Sequence, residues 1–400
     1  MAKGPIARRR IAMYISSMNR GGAEHVMANL ASYFTEKGYD VILVTTHKAG
    51  REYELCGRGT DEYSGEEKNT DGITFVRIHE PGNEADGSLT RYYSEIDDPD
   101  KGGRISNFRA RCQRLTKIWR LTKPDVILSF IGKNNMMAVK TARKLHIPVA
   151  VSVRADPELE YPGAAMMLAA KHYYKKASLV IMQTDESLGF FGNRIQRKAT
   201  VLRNPIDPVF LKSRTDGAKE KVILAVGRCD ENKNHSMIID AFMAVSSKLS
   251  GYRLVIFGDG ECRRDLEDKV EKLGMTDIIS LPGATNDIAE KMKRSSIFVL
   301  ASDSEGMPNS LIEAMCMGMT CISTDCPCGG PRMLIKDRVN GILIPVKGEK
   351  DLEKALIIAA QDSDGDRCMA HAAQRIRTEY SSEKVYGEWE QQLKRIMKTE

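Results

Sequence analysis

Apolar residues along the chain fall into short runs of strand length, separated by stretches with helical spacing. In the first half IAMYIS (11–16), DVILVT (40–45), TFVRI (74–78) and DVILSF (125–130) read as strands, followed by PVAVSV (148–153), SLVIMQ (178–183) and ATVL (199–202). Residues 23–37, closing at Gly38, and residues 104–123 have the spacing of helices. The second half repeats the rhythm with VILAVG (222–227), RLVIFG (253–258), IISLPG (278–283), SIFVLAS (296–302) and TCIST (320–324). Such runs alternating with helices predict parallel sheets covered on both faces. Residues 51–70 and 79–103 are polar and poorly periodic, and read as long surface loops. RNPIDP (203–208), with two prolines and turn-prone Asn and Asp, reads as a stiff connector. The expected fold is α/β: two doubly wound, Rossmann-like parallel-sheet domains facing a cleft. Their expected bounds are 1–203 and 209–380, with a linker at 204–208. A last helix over 381–400 has Tyr386, Trp389, Leu393 and Ile396 at helical spacing and is expected to pack back on the first domain.

Length and composition agree. Four hundred residues exceed one ordinary core and suit two domains. At 42% hydrophobic and 28% charged, the chain is globular rather than disordered or fibrous. No apolar run of about 18 residues is present, which excludes an ordinary membrane-spanning helix. The start, MAKGPIARRRIAMYI, lacks the long apolar stretch of a signal peptide. Nine cysteines, an odd number, point to reduced thiols and a cytoplasmic setting. Up to Arg203 there are 32 Lys/Arg against 23 Asp/Glu, a net charge of +9, whereas the remainder has 28 against 31, a net charge of −3. A basic first half suits an anionic partner. Charge alone leaves nucleic acid, a membrane leaflet and a phosphorylated acceptor open.

In open parallel sheets ligands sit beyond the carboxyl ends of strands, so the loops there carry the candidate chemistry. GRCDENKN after 222–227 places Arg228 and Lys233 in one such loop, and GDGE after 253–258 is a tight turn. SDSEGMPNSLIEAMCMG after 296–302 is the richest segment. There Pro308 fits the first turn of a helix whose N–H groups at Asn309, Ser310 and Leu311 face an anion. Arg228 and Lys233 supply charge-assisted bonds to the same diphosphate. Glu305, before the helix, and Glu313, within it, can accept hydrogen bonds from two polyhydroxyl groups. A nucleotide-sugar has all three parts.

EGMPNSLIE, with seven residues between Glu305 and Glu313, resembles the signature of retaining glycosyltransferase family 4, of GT-B fold. Gly227, Arg228 and Lys233, the NPID stretch at 204–207 and the RGGAE loop at 20–24 are in that family's order, and TDCPCGGPRMLI…NGILIPV (324–346) resembles members that build bacterial surface polysaccharides and lipid-linked oligosaccharides. The resemblance implies a catalytic group of Glu305, Arg228 and Lys233, the two cations holding the donor diphosphate and Glu305 the sugar hydroxyls. Glu313 would hold the ribose. Backbone at Met307, Asn309, Ser310 and Leu311 would cap the phosphates or touch the sugar, and Gly21 and Gly22 would approach the donor. It implies no metal and no cofactor, the nucleotide-sugar being a co-substrate, more readily UDP-linked than GDP-linked. The sugar moved would be a hexose or N-acetylhexosamine and the acceptor a glycan or a polyprenyl-diphosphate-linked glycan, with no role for nucleic acid. Many members carry a His in the acceptor-side loop; here VSVRADP (151–157) offers Arg154 and Asp156 instead.

Plainer readings stand beside these. A glutamate pair at this spacing is common on exposed helices, and lone Arg and Lys residues are usually solvated. Cys316, Cys321, Cys326 and Cys328 lack two separated ligand pairs and read as packing. Asp362, Asp364 and Asp366 lack the downstream Glu of a calcium loop. The 104–123 helix has seven basic residues, no acidic one, and an apolar side of Ile105, Phe108, Leu115, Ile118 and Trp119. It reads either as an ordinary amphipathic helix or as a peripheral attachment to anionic lipid on the inner face of the cell membrane. Rival functions are a nucleotide-sugar epimerase or hydrolase, a GDP-mannose-dependent transferase, or a non-catalytic binder of phosphorylated ligands. SSMNRGGAE after the first strand lacks the glycine spacing of a dinucleotide-binding dehydrogenase.

Overall fold

The continuous apolar runs become strands buried within two open sheets, because helices on each side remove both strand faces from water. The computed structural model describes residues 8–19, 21–48, 50, 52–59, 63, 65–69, 72–82, 86–96, 103–212, 219–365 and 367–397. Arg20, Asp366 and the Arg104 side chain, invoked above, lie outside the described set. The chain divides into Met1–Leu202 with Tyr386–Glu400, and Arg203–Val385.

The first domain runs β1 (Arg10–Tyr14), α1 (Gly22–Glu36), β2 (Asp40–Thr45), β3 (Glu67–Lys68), β4 (Thr74–His79), β5 (Ser88–Tyr93) and α2 (Arg104–Thr122). It continues through β6 (Val126–Phe130), α3 (Gly132–Arg143), β7 (Val149–Ser152), α4 (Pro157–Glu160), α5 (Ala164–Tyr174), β8 (Leu179–Met182), α6 (Asp185–Leu188), α7 (Asn193–Gln196) and β9 (Ala199–Val201). The nine strands lie in the order β3-β4-β5-β2-β1-β6-β7-β8-β9. All neighbours are parallel except β3/β4 and β4/β5.

On one face α2, α3 and α5 pack over a core that includes Tyr14, Ile127, Val151 and Met182. Fully buried Leu115, Ile118 and Trp119 hold α2 down, and the Trp119 indole donates to Thr141 Oγ1 at 2.9 Å. Truncating a buried Trp of this kind costs about 3–5 kcal/mol. Ile105 departs from the expected apolar side and stands 71% exposed.

Two readings need correction. The segment 79–103 is not one loop, since β5 runs through it, parallel to β2 and antiparallel to β4. The segment 51–70 holds β3 and also Glu52, whose carboxylate takes Arg91 of β5 in a fork of 2.6 and 2.9 Å. Arg91 Nε donates further to Thr45 Oγ1 at 3.0 Å, so this fully buried guanidinium is paired. A charged residue in mid-strand masks the period-2 pattern, while Glu52 removes the desolvation cost of leaving it alone.

The second domain contains α8 (Pro208–Lys212), β10 (Glu220–Val226), α9 (His235–Val245), β11 (Arg253–Phe257), α10 (Arg263–Lys272), β12 (Ile279–Gly283), α11 (Ile288–Arg294) and β13 (Ser295–Leu300). After these come α12 (Asn309–Cys316), β14 (Thr320–Thr324), α13 (Gly330–Leu334), β15 (Ile342–Ile344), α14 (Glu349–Asp364), α15 (Cys368–Ala373) and α16 (Ile376–Glu379). Its six-stranded sheet, β12-β11-β10-β13-β14-β15, is wholly parallel. The chain leaves β10 first toward β11 and β12, then returns to add β13, β14 and β15 on the other side. The loops after β10 and β13 therefore diverge at a topological switch point, the place where open α/β sheets bind ligands. Residues 204–207, read above as a connector, bond within this domain, where Ile206 N donates to Tyr380 O at 2.9 Å.

The last helix, α17, spans Ser382–Ile396. From Tyr386 onward it belongs to the first domain: Trp389 is fully buried with its ring 5.7 Å from that of Phe130, and Glu390 accepts from the Tyr39 hydroxyl at 2.8 Å.

Candidate functional site

Beyond β10 the chain passes Gly227 and Arg228 and makes a single 3-10 turn over Glu231–Lys233. Asp230 closes that turn by accepting from Lys233 N at 3.0 Å, and Asn234, at φ 48°, caps α9. The loop rests on the one after β11. A Cβ at Gly258 (φ +150°) would lie 1.8 Å from Gly227 O, so only glycine lets the two backbones meet. The GDG turn is thus a support for the Arg228 loop.

Beyond β13 the segment Ser302–Pro308 is held from three sides. Asn232 bonds both backbone groups of Ser304, each at 3.1 Å, and its own carbonyl accepts from Asp303 N at 2.8 Å. Gly330 presses on the opposite side, where a Cβ would lie 1.7 Å from Gly306 O. Asn204 Nδ2 donates to Met307 O at 3.1 Å and to Asn309 Oδ1 at 2.6 Å. These contacts fix Glu305, whose Oε1 meets Lys233 Nζ and accepts from Ser302 Oγ at 2.6 Å. Lys233 and Glu305 are 16% and 13% exposed, so their charges act through little water.

Around this pair the other residues take distinct places. Arg228 is 76% exposed, its guanidinium 3.2 Å from Asp230, and projects outward as a tethered cation. Pro308 occupies the cap position rather than the first turn of α12, with Ile312 N bonded to its carbonyl at 3.2 Å. The cap residue Pro308 makes no side-chain bond to α12, and Asn309, Ser310 and Leu311 begin the helix with the N–H pattern that favours anions. Met307 and Leu311 are buried in the core and offer backbone alone, while Glu313 is half-buried one turn along. Cys326 is packed beside Glu305, and burial, with that carboxylate's charge second, pushes its thiol up to about 12.

His235, the first residue of α9, is buried. Burial and then the Lys233 charge lower its pKa from 6.5 to about 4, so it is neutral at pH 7. Sequence reasoning missed His235, Asn232, Ser302 and Asn204. The Asn of the NPID stretch is the only one of these that carried a signal.

The first-domain candidates are built differently. Gly21, in extended backbone at φ −140°, precedes α1, and exposed Gly22 opens that helix. Arg154 is buried with its guanidinium 4.7 Å over the Phe130 ring. Burial lowers its pKa to about 10, against the pull of Glu160 and Glu24. Asp156 caps α4, accepting from Glu158 N at 2.9 Å. Both sit in a network centred on half-buried Glu160, which accepts from Gly132 N and Arg154 N at 2.8 Å and from Ala155 N at 3.2 Å. Burial raises the Glu160 pKa even so. This carboxylate ties the loops after β6 and β7 and was not foreseen.

Residues 210–376 match the family model described as glycosyl transferases group 1. Over 384 residues the chain is 24% identical to a Campylobacter jejuni enzyme, covering 95% of this chain and 97% of that one. That relative is named GalNAc-alpha-(1->4)-GalNAc-alpha-(1->3)-diNAcBac-PP-undecaprenol alpha-1,4-N-acetyl-D-galactosaminyltransferase. The amylovoran biosynthesis glycosyltransferase AmsD of Erwinia amylovora is 23% identical, over 67% of this chain and 77% of its own. Among solved structures, Anabaena HepE in complex with UDP and glucose superposes with a TM-score of 0.75 at 15% identity, covering 97% of this chain and all of that one. The chain is therefore a glycosyltransferase with a group 1 domain, on a two-domain α/β fold that matches GT-B structures.

Proposed function

We propose that the protein moves a hexose or N-acetylhexosamine from a UDP-sugar to a lipid-linked glycan during surface-polysaccharide assembly, with retained anomeric configuration and no metal ion. The observation that carries this reading is the meeting of Lys233 and Glu305 at the switch point between β10 and β13, next to the start of α12. Lys233, Arg228 and the α12 N–H groups face the charge that builds on the departing diphosphate when the glycosyl C–O bond breaks. Preorganised donors of that kind each contribute about 10²–10³ in rate. Glu305 accepts from the sugar hydroxyls and Glu313 from the ribose. The acceptor hydroxyl attacks from the face the diphosphate leaves, and its proton passes to the leaving phosphate oxygen. Support for a lipid-linked acceptor comes from the name of the C. jejuni relative, and for a uridine nucleotide from the UDP bound to HepE. Arg154 and Asp156 then act as supports for the acceptor-side loops.

The test is thermal unfolding against a panel of nucleoside diphosphates and their sugars, followed by transfer to a polyprenyl-diphosphate-linked sugar. Ligand at a hundred times its Kd should stabilise by about 2.7 kcal/mol. A UDP-sugar should give the largest shift, and the anomer of the product should match that of the donor. Absence of any shift across the panel, or turnover of donor that ignores the acceptor, defeats the proposal.

A further inference from the structure

The sheet of the first domain has a switch point of its own. From β1 the chain turns to β2 on one side, and β6 later joins β1 on the other, so the loops after β1 and β6 diverge there. Open α/β sheets take their ligands in crevices of this kind, beyond the carboxyl ends of the strands. The backbone at this one is strained. Ile131, directly after β6, stands at φ 71°, a conformation β-branched residues rarely adopt and one that the surroundings must impose. Asn134, in the first turn of α3, ties the two loops by donating to Ser16 Oγ at 3.0 Å. From Ser16 the chain runs through Met18 and Asn19 to Gly21 and into α1.

That segment also rests on residues 52 and 53, which follow β2. Asn19 and Glu52 form an isolated antiparallel bridge, and Tyr53 N donates to Met18 O at 3.2 Å. The Tyr53 ring stacks on His25 of α1 with centroids 4.8 Å apart. Residues 52 and 53 are anchored in turn by the Glu52 carboxylate, which Arg91 of β5 grips with both terminal nitrogens. The two side chains are 0% and 1% exposed, and the guanidinium is further fixed by Thr45 Oγ1 and by the Tyr93 ring, 4.9 Å away.

An ion pair sealed this completely is a poor source of stability, because apolar side chains of like volume often hold a fold as well or better. Its use here is geometric. A planar, two-pronged contact fixes both distance and direction, where an apolar contact would let residues 52 and 53 slide. We propose that Arg91 and Glu52 are positioning residues for glycosyl transfer, setting the loop that carries Asn19 and Gly21 at the crevice between β1 and β6. This role rests on the transfer reading and deepens it, adding residues that act through a loop rather than on the reacting atoms.

The experiment compares the parent with R91M, E52M, R91M/E52M and R91K. Each Met single variant strands a buried charge and should unfold at lower urea concentration, whereas the double variant strands none and should match or exceed the parent. Hydrogen exchange in the double variant should nevertheless quicken over residues 16–25 and stay parental in the second domain. Its kcat per folded molecule should fall about 100-fold at unchanged donor KM, the loss expected for a displacement of about 1 Å. The UDP-induced shift in thermal unfolding should stay parental, because Lys233 and the start of α12 belong to the other domain. R91K keeps the charge, and with it the fold, but not the planar fork, and its kcat should fall about 10-fold. A purely structural pair gives the reverse, parental kcat in every variant that folds. Parental kcat in R91K or in the double variant overturns the inference, and so does parental exchange over residues 16–25 in the double variant. A parent that neither shifts with nucleoside diphosphates nor transfers sugar defeats the transfer reading and this role with it, a result told apart because it precedes any substitution.

Discussion

Separating the structural from the chemical role of Lys233 and Glu305 requires both single variants and their combination. Lys233→Met and Glu305→Gln keep approximate volume while each removes one charge. The pair is mostly buried, so removing one partner strands the other in a poorly solvated position. Fully buried pairs cost about 3–5 kcal/mol when broken in this way. With residual exposure here, and with Ser302 Oγ still 2.6 Å from Glu305 Oε1, about 2 kcal/mol per single variant is the reasoned value. Neither charge is stranded in the double variant, so its loss should fall short of the sum by about 1–2 kcal/mol. Activity should behave oppositely. Each single variant should lose about 10²–10³ in kcat, equivalent to about 2.7–4 kcal/mol, and the double variant should regain none of it. Urea unfolding reads the first quantity, and nucleoside diphosphate release in the presence of acceptor reads the second. If the double variant recovers transfer along with stability, the pair is a structural clasp and the donor-site reading fails.

Two more predictions concern the supports of this pair. His235 titrates near pH 4 when folded and near 6.5 when unfolded, so the unfolded chain takes up the proton first as pH falls. Its contribution should be intact above about pH 6.5 and decline toward pH 4 by about 3 kcal/mol, and His235→Gln should flatten that part of a urea-unfolding pH series. An unchanged slope in the variant would show that this imidazole is not the group responsible. Gly330→Ala places a methyl carbon 1.7 Å from Gly306 O, forcing the Glu305 loop to shift by about 1 Å or more. Transfer should fall about 100-fold for a stability loss of about 1–3 kcal/mol, and parental kcat in a folded variant would disprove the coupling.

Most of the strands were legible because they are predominantly apolar, and that follows from burial on two faces. The runs VILAVG and SIFVLAS became β10 and β13 with both ends moved toward the N-terminus by one or two residues. β5 was illegible for an equally physical reason. SLTRYY points Leu89, Arg91 and Tyr93 inward, and the sequence reads Arg91 as exposed unless Glu52, 39 residues earlier, is known to meet it. The candidate site divides in the same way. Lys233 and Glu305 could be singled out because loops after strands are where charges gather around ligands. Asn232 could not, because it acts through hydrogen bonds to groups remote in sequence, and neither could Ser302, since Asn and Ser are common in any loop; Asn204 was signalled only as part of the NPID stretch. Arg154 and Asp156 also follow a strand, but the fold buries both, and Asp156 caps α4, which the sequence did not foretell.

What fixes Glu305 is, on this geometry, chiefly a neutral device. Asn232 offers its amide to the carbonyl of Ser304 and takes the N–H of the same residue, so one side chain imitates a strand neighbour and joins the loops after β10 and β13. Its own carbonyl adds a third bond, from Asp303 N. Bonds of this kind contribute about 1 kcal/mol each, need no charge, and are indifferent to salt and, near neutrality, to pH. The Lys233–Glu305 contact is therefore not required to hold the loops together, and removing its charges should leave the backbone of both in place. That independence makes the double variant interpretable: with the scaffold fixed by Asn232 and by the Gly306–Gly330 contact, whatever transfer is lost belongs to the charges themselves.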